Sequence, residues 1–232
     1  MTGFTRVLVD GGLAVPKLMD CRRHGPGSGA ELFVVEGDSA AGTVALVRDA
    51  ETQAVLPMQG KPMNAVKASP EKVVANPWFQ ALTQAMGAGD GPAFDLARVR
   101  YERVVLLMDA DADGIHCAAL MCLYFYRRMW PLLAERRVSV AHPPLACLSS
   151  DQLPRPLYVF TEPEYRQATQ DLRAVGHDLQ VVRYRGLAGV DLEALATASV
   201  RPATRTLQAL GRADADAMMR VLGRGEPQPT LF

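Results

Sequence analysis

Short runs of consecutive apolar residues, each followed by a stretch with helical spacing, recur through the first two thirds of the chain. "ELFVVEG" predicts a buried strand ending at Glu36 and Gly37, and "DSAAGTVALVRDAE" predicts a helix capped by Asp38 or Ser39. "AVLPMQGKP" reads as a second strand and turn. "SPEKVVANPWFQALTQAMGAG" reads as helix, broken near Asn76 and Pro77 and closed by glycines. "ERVVLLMDA" predicts a third strand, apolar on both faces as in a parallel strand covered by helices. One long helix is expected from Gly114 to about Glu135, and "RRVSVAHPPLACL" gives a further strand and its exit. Strands alternating with helices predict an α/β fold: a Rossmann-like parallel sheet with helices on both faces.

After the "SSDQLPRP" break the pattern weakens. "LYVF", a helix near 162–174, "LQVVRYRGL" and helices near 190–198 and 213–222 predict a small α+β tail. The expected organisation is a lead and linker over 1–30 and a main domain over 31–148. A tail domain over 149–224 and a flexible terminal peptide over 225–232 complete it. Lys plus Arg and Asp plus Glu balance at 25 each, so bulk charge does not announce a nucleic-acid binder. The four cysteines form no C-x-x-C pair, so neither a zinc knuckle nor a redox dithiol is suggested, and they read as reduced, buried thiols of a cytosolic protein. The uncharged run Gly114 to Tyr126 is too short to span a bilayer, so no membrane role is expected.

The chemistry concentrates in "VVLLMDADADGIH", where Asp109, Asp111 and Asp113 follow the most hydrophobic strand. The run matches the start of an EF-hand loop. That loop needs a preceding helix and a bidentate Glu at its twelfth position, where this chain has a strand and Leu120. A solvated acidic turn also fits poorly, because the C-terminal edge of an open α/β sheet is where ligands bind. Three carboxylates there repel one another unless a hard cation such as Mg²⁺ compensates them. The strand "LFVVEGDSA" also ends in a carboxylate. If the two strands are neighbours, Glu36 faces Asp109 and Asp111, a donor set suited to metal-assisted phosphoryl transfer.

With those residues in place the chain resembles a known family. "ELFVVEGDSAAG", "AVLPMQGKPMNAVKA", "VVLLMDADADGIHCAALMCLYFYRRM" and "VAHPPL" are similar, in order, to the TOPRIM region of the B subunits of DNA gyrase and topoisomerase IV. "VRYRGLAGVD" looks like that family's "RYKGLGEM" segment, and "VPKLMDC" like its lead-in. The resemblance implies an Mg²⁺ site, with Mn²⁺ able to substitute, formed by Glu36, Asp109 and Asp111 with Asp113 in an outer shell. It implies catalytic roles for Glu36, Asp109 and Asp111 in breaking and rejoining DNA. It makes Lys61, Lys67, Arg183 and Arg185 the DNA-binding residues. The partners it implies are DNA, an A-type topoisomerase subunit carrying the catalytic tyrosine, and a separate ATPase subunit, in a bacterial cytoplasm at the nucleoid.

Departures from the family narrow this. The family's ATP-binding domain would precede position 1 and is not expected here, and "GPGSG" has no strand before it or helix N-terminus after it, so no ATP site is expected in this chain. Ala118 stands where the family has an arginine, and "RYRGLAGV" has lost the acidic residue of its counterpart and carries Arg185 for lysine. Two readings stay open: a minimal B-type topoisomerase subunit, or a stand-alone metal-dependent nuclease or non-cutting DNA-bound regulator. The terminal "QPTLF" is similar to the peptide that tethers proteins to the DNA sliding clamp, with Gln228, Leu231 and Phe232 as its anchors.

Overall fold

The computed structural model describes residues 15–223. Its main sheet has five strands. Strands β1 (Glu31–Glu36), β2 (Gln53–Met58), β3 (Arg103–Leu107) and β4 (Val138–Ala141) are mutually parallel. The edge strand β8 (Leu207–Ala209) runs antiparallel to β4, a strand that the sequence pattern did not predict. Their order across the sheet is β2-β1-β3-β4-β8. Consecutive Val and Leu residues make β1 and β3 buried on both faces, as the sequence implied.

One face carries Phe33, Val35, Val105 and Leu107 against α1 (Gly37–Val47) and the segment Leu187–Val200. That segment contains α7 (Leu192–Leu195) and a π-helical turn over Ala196–Val200. The opposite face carries Leu32, Val34, Val104 and Leu106. Against it pack α2 (Pro70–Ala75), α3 (Pro77–Met86), α4 (Ala112–Arg128), α5 (Trp130–Ala134) and α8 (Arg212–Leu222). The fold is therefore the expected α/β sheet with helices on both faces.

Three local expectations are corrected. Helix α1 begins at Gly37 with Glu36 as its cap residue, and Asp38 binds the side chains of Lys17 and Gln59 instead of capping. The long helix begins at Ala112, because Asp111 caps it, and breaks at Met129 (φ −141°, ψ 46°). Continuing it would drive the Pro131 ring into the Arg127 carbonyl, so a second helix starts at Trp130.

Residues 146–183 form a second sheet from β5 (Ala146–Ser149), β6 (Leu157–Val159) and β7 (Gln180–Arg183), with β5 in the middle. Helix α6 (Glu162–Ala174) covers it through Tyr165, Ala168 and Leu172. From Leu187 onward the chain returns to the main sheet. A buried ion pair fixes that return: the Arg205 side chain is 2% exposed and its guanidinium binds Glu31 and the Val200 carbonyl. No helix among the described residues is long and apolar enough to cross a membrane.

Candidate metal centre

Strands β1 and β3 are neighbours with Val35 level with Leu107, so their C-terminal ends release Glu36 and Asp109 at the same edge of the sheet. Glu36 is half-buried, and its carboxyl is pushed above the usual range. Burial is the main cause; Asp109, Asp111 and Asp113 add repulsion and Lys61 partly offsets them. All three aspartates of the "DADADG" run therefore act on Glu36.

The protein itself supplies part of the compensation these carboxylates need. Oδ1 of Asp109 accepts the Leu187 N–H at 2.7 Å. Asp111 caps α4 by accepting the Gly114 N–H at 2.8 Å, which places it at the positive end of the helix dipole. Asp113 pairs with Lys61 at 2.6 Å, and that ammonium holds its carboxyl below the usual range. Lys61 also stands 3.4 Å from Nδ1 of His116, a neighbour that sequence reasoning missed. Gly114 is required by close approach: a Cβ there would lie 2.1 Å from the Asp109 carbonyl oxygen.

The second missed contributor is the loop at Gly186 and Leu187. Gly186 adopts φ +79°, and a Cβ on it would stand 3.2 Å from Oδ2 of Asp109. The segment was singled out in the sequence only by resemblance, since a backbone N–H leaves no trace in residue type.

The donor set suits a hard divalent cation: four carboxylates at one sheet edge, one of them with a raised pKa, and a free oxygen of Asp109 beside a bare α-carbon. The carboxylates are not drawn tightly together. Among the described residues, only Asp20, Cys21 and His24 bring three metal-ligating atoms within 4.8 Å of one another. There a guanidinium already fills the cation's place. Arg100 binds Asp20 and reaches Nε2 of His24 at 2.7 Å, while burial and Asp20 push the Cys21 thiol up to about 11.

The basic residues divide. Lys67 and Arg185 are exposed. Lys61 is engaged by Asp113, and Arg183 pairs with Glu162 and lies over the Tyr165 ring at 4.9 Å. Gln228, Leu231 and Phe232 lie outside the described residues.

The family profile described as Toprim domain matches residues 31–143, spanning β1 to β4 and both acidic strand ends. Residues 31–143 carry the Toprim match. Beyond that match, it is similar to the DNA gyrase B protein of Mycoplasma genitalium, 38% identical over 198 residues, 85% of this chain and 30% of that protein. The gyrase B protein of Thermotoga maritima is 36% identical over 200 residues (85% and 31%), and that of Thermus thermophilus 37% over 203 (86% and 31%). The chain thus spans about a third or less of the length of these relatives, and the similarity extends past the Toprim domain into the segment that returns to the main sheet.

Proposed function

We propose that this Toprim chain supplies the metal half of a type IIA topoisomerase cleavage site. On this reading it works on DNA together with an A-type subunit that carries the attacking tyrosine. The observation that carries the reading is the convergence of Glu36 with Asp109, Asp111 and Asp113 at one sheet edge, inside the residues matched by the Toprim profile. Glu36, Asp109 and Asp111 would hold Mg²⁺ or Mn²⁺, with Asp113 in an outer shell. When bound, the cation polarises the scissile phosphate and stabilises the 3′ oxygen that leaves and later returns.

The residues of the chain do the remaining work. Glu36 is assigned the exchange of a proton with that oxygen as general acid and base, a role its carboxyl fills when it is not ligating the cation. Leu187 N–H and the α4 N-terminus keep Asp109 and Asp111 in place before substrate arrives. Lys67 and Arg185 offer free cations to the phosphate backbone. Lys61 and Arg183 join them by exchanging Asp113 and Glu162 for phosphate.

The test is a supercoiled-plasmid assay with Mg²⁺, with and without a gyrase A-type subunit. Protein-linked breaks that need both that partner and Mg²⁺, and that disappear in Asp109→Asn, are expected. Free, unlinked ends formed without the partner would replace this reading with a nuclease. DNA binding with no breaks under any condition would leave a regulator.

A further inference from the structure

The loop that closes over Asp109 comes from 78 residues further along the chain and makes no use of a side chain. Two observations meet there. The buried Leu187 N–H donates to Oδ1 of Asp109 at 2.7 Å, a charge-assisted bond that fixes the orientation of the carboxylate. The preceding residue is glycine in the left-handed region, at φ +79°, and its missing Cβ would stand 3.2 Å from Oδ2 and 3.6 Å from Oδ1. Any side chain at 186 would press on the oxygen that the hydrogen bond leaves free, and would be strained as well. Leu187 is itself anchored, being 1% exposed and packed with Phe33, Val35, Ala40, Leu107 and Val190 under the main sheet.

We propose that Gly186 and Leu187 are positioning residues of the metal centre. The Leu187 N–H turns Asp109 so that Oδ2 stays open, and the bare α-carbon of Gly186 keeps that oxygen accessible to a cation. The proposal rests on the metal reading above and adds a consequence to it: docking of the 184–190 loop and cation affinity are thermodynamically linked. Groups that orient a metal ligand from outside the coordination shell commonly govern affinity by one to two orders of magnitude. Because coupling is reciprocal, a cation held by Asp109 must also tighten the loop.

Two measurements on the full chain test this, with Mg²⁺ alone as the probe. In calorimetry, Gly186→Ala is expected to weaken Mg²⁺ binding by about tenfold or more. Gly189→Ala, in the same loop with open space at its Cβ, serves as the control and should bind as the wild type does. On the wild-type chain, hydrogen exchange of the Leu187 amide should slow when Mg²⁺ is added, and this arm needs no variant to fold. Wild-type affinity in Gly186→Ala, or Leu187 exchange that does not respond to Mg²⁺, overturns the positioning role and leaves the metal centre standing. Equal weakening by Gly189→Ala also overturns it, since the loop's fold alone would then explain the loss. A wild-type chain that binds no Mg²⁺ overturns the metal reading itself and this proposal with it.

Discussion

Gly114→Ala isolates the fit between the acidic turn and the helix it starts. Gly114 lies in the first turn of α4, where an alanine would ordinarily be the better helix former by up to about 1 kcal/mol. Here the new Cβ would meet the Asp109 carbonyl oxygen at 2.1 Å and the Asp109 carbonyl carbon and nitrogen at 2.9 Å. All three obstacles are backbone, so no rotamer change relieves them and the exit of β3 must move relative to α4. Forcing a methyl into such a place costs about 1–3 kcal/mol. Rigid obstacles favour the upper end, and subtracting the propensity gain leaves a net loss of about 2 kcal/mol. For a chain of this size that is a fall of about 4–8 °C in Tm. Gly42→Ala is the control: it sits exposed in α1 with nothing within 4 Å of its Cβ, so it should be neutral or gain up to about 1 kcal/mol. Thermal unfolding followed by circular dichroism in EDTA measures both without any contribution from bound cation. A Gly114→Ala variant as stable as the wild type, or more so, would show that the turn is slack and that its geometry is not enforced by the glycine.

Two further outcomes follow from buried ionic groups. Arg205→Met should cost about 1–3 kcal/mol in urea unfolding by removing the more buried of two guanidinium partners of Glu31, which keeps Arg103 and Gln53, while Glu31→Gln/Arg205→Met should recover part of the loss; equal losses in both would refute the pairing. Burial works to raise the Asp20 carboxyl, but hydrogen bonds from Tyr101, His24 and Arg100 outweigh it and leave the pKa lowered. Its stabilisation is therefore fully present above the ordinary value of 3.8 and lost as pH falls through the lower folded value. Asp20→Ala should thus be less stable than wild type by about 3 kcal/mol near neutral pH, with the gap closing only in acid; a gap that closes already near pH 6 would show that another group titrates.

Sequence made the central sheet legible because its strands are short, apolar on both faces and bounded by strong breakers. The unbroken Val and Leu content of β1 and β3 identified both as interior parallel strands, and Asn76, Pro77 and Gly87 marked the limits of α3. What escaped the pattern had no hydrophobic period to show. Strand β8 spans three residues, Leu207 to Ala209, and only its pairing with β4 makes it a strand. The break at Met129 was written in Pro131, but the apolar residues on both sides of Arg127 and Arg128 masked it.

The candidate site divides along the same physical line. Carboxylates advertise themselves because like charges in sequence demand an explanation, so Glu36 and the three aspartates could be named before any fold was known. The groups that answer them could not. Leu187 acts through its backbone N–H, Gly186 through a side chain it lacks, and the α4 N-terminus through the dipole of a whole helix. Such partners become visible only when topology brings residue 187 to residue 109. Repulsion among the aspartates is thus met in two stages. Fixed dipoles and Lys61 hold the cluster together within the fold, while Glu36, its carboxyl raised first by burial and then by the three aspartates, still stands among unneutralised carboxylates that a cation can meet.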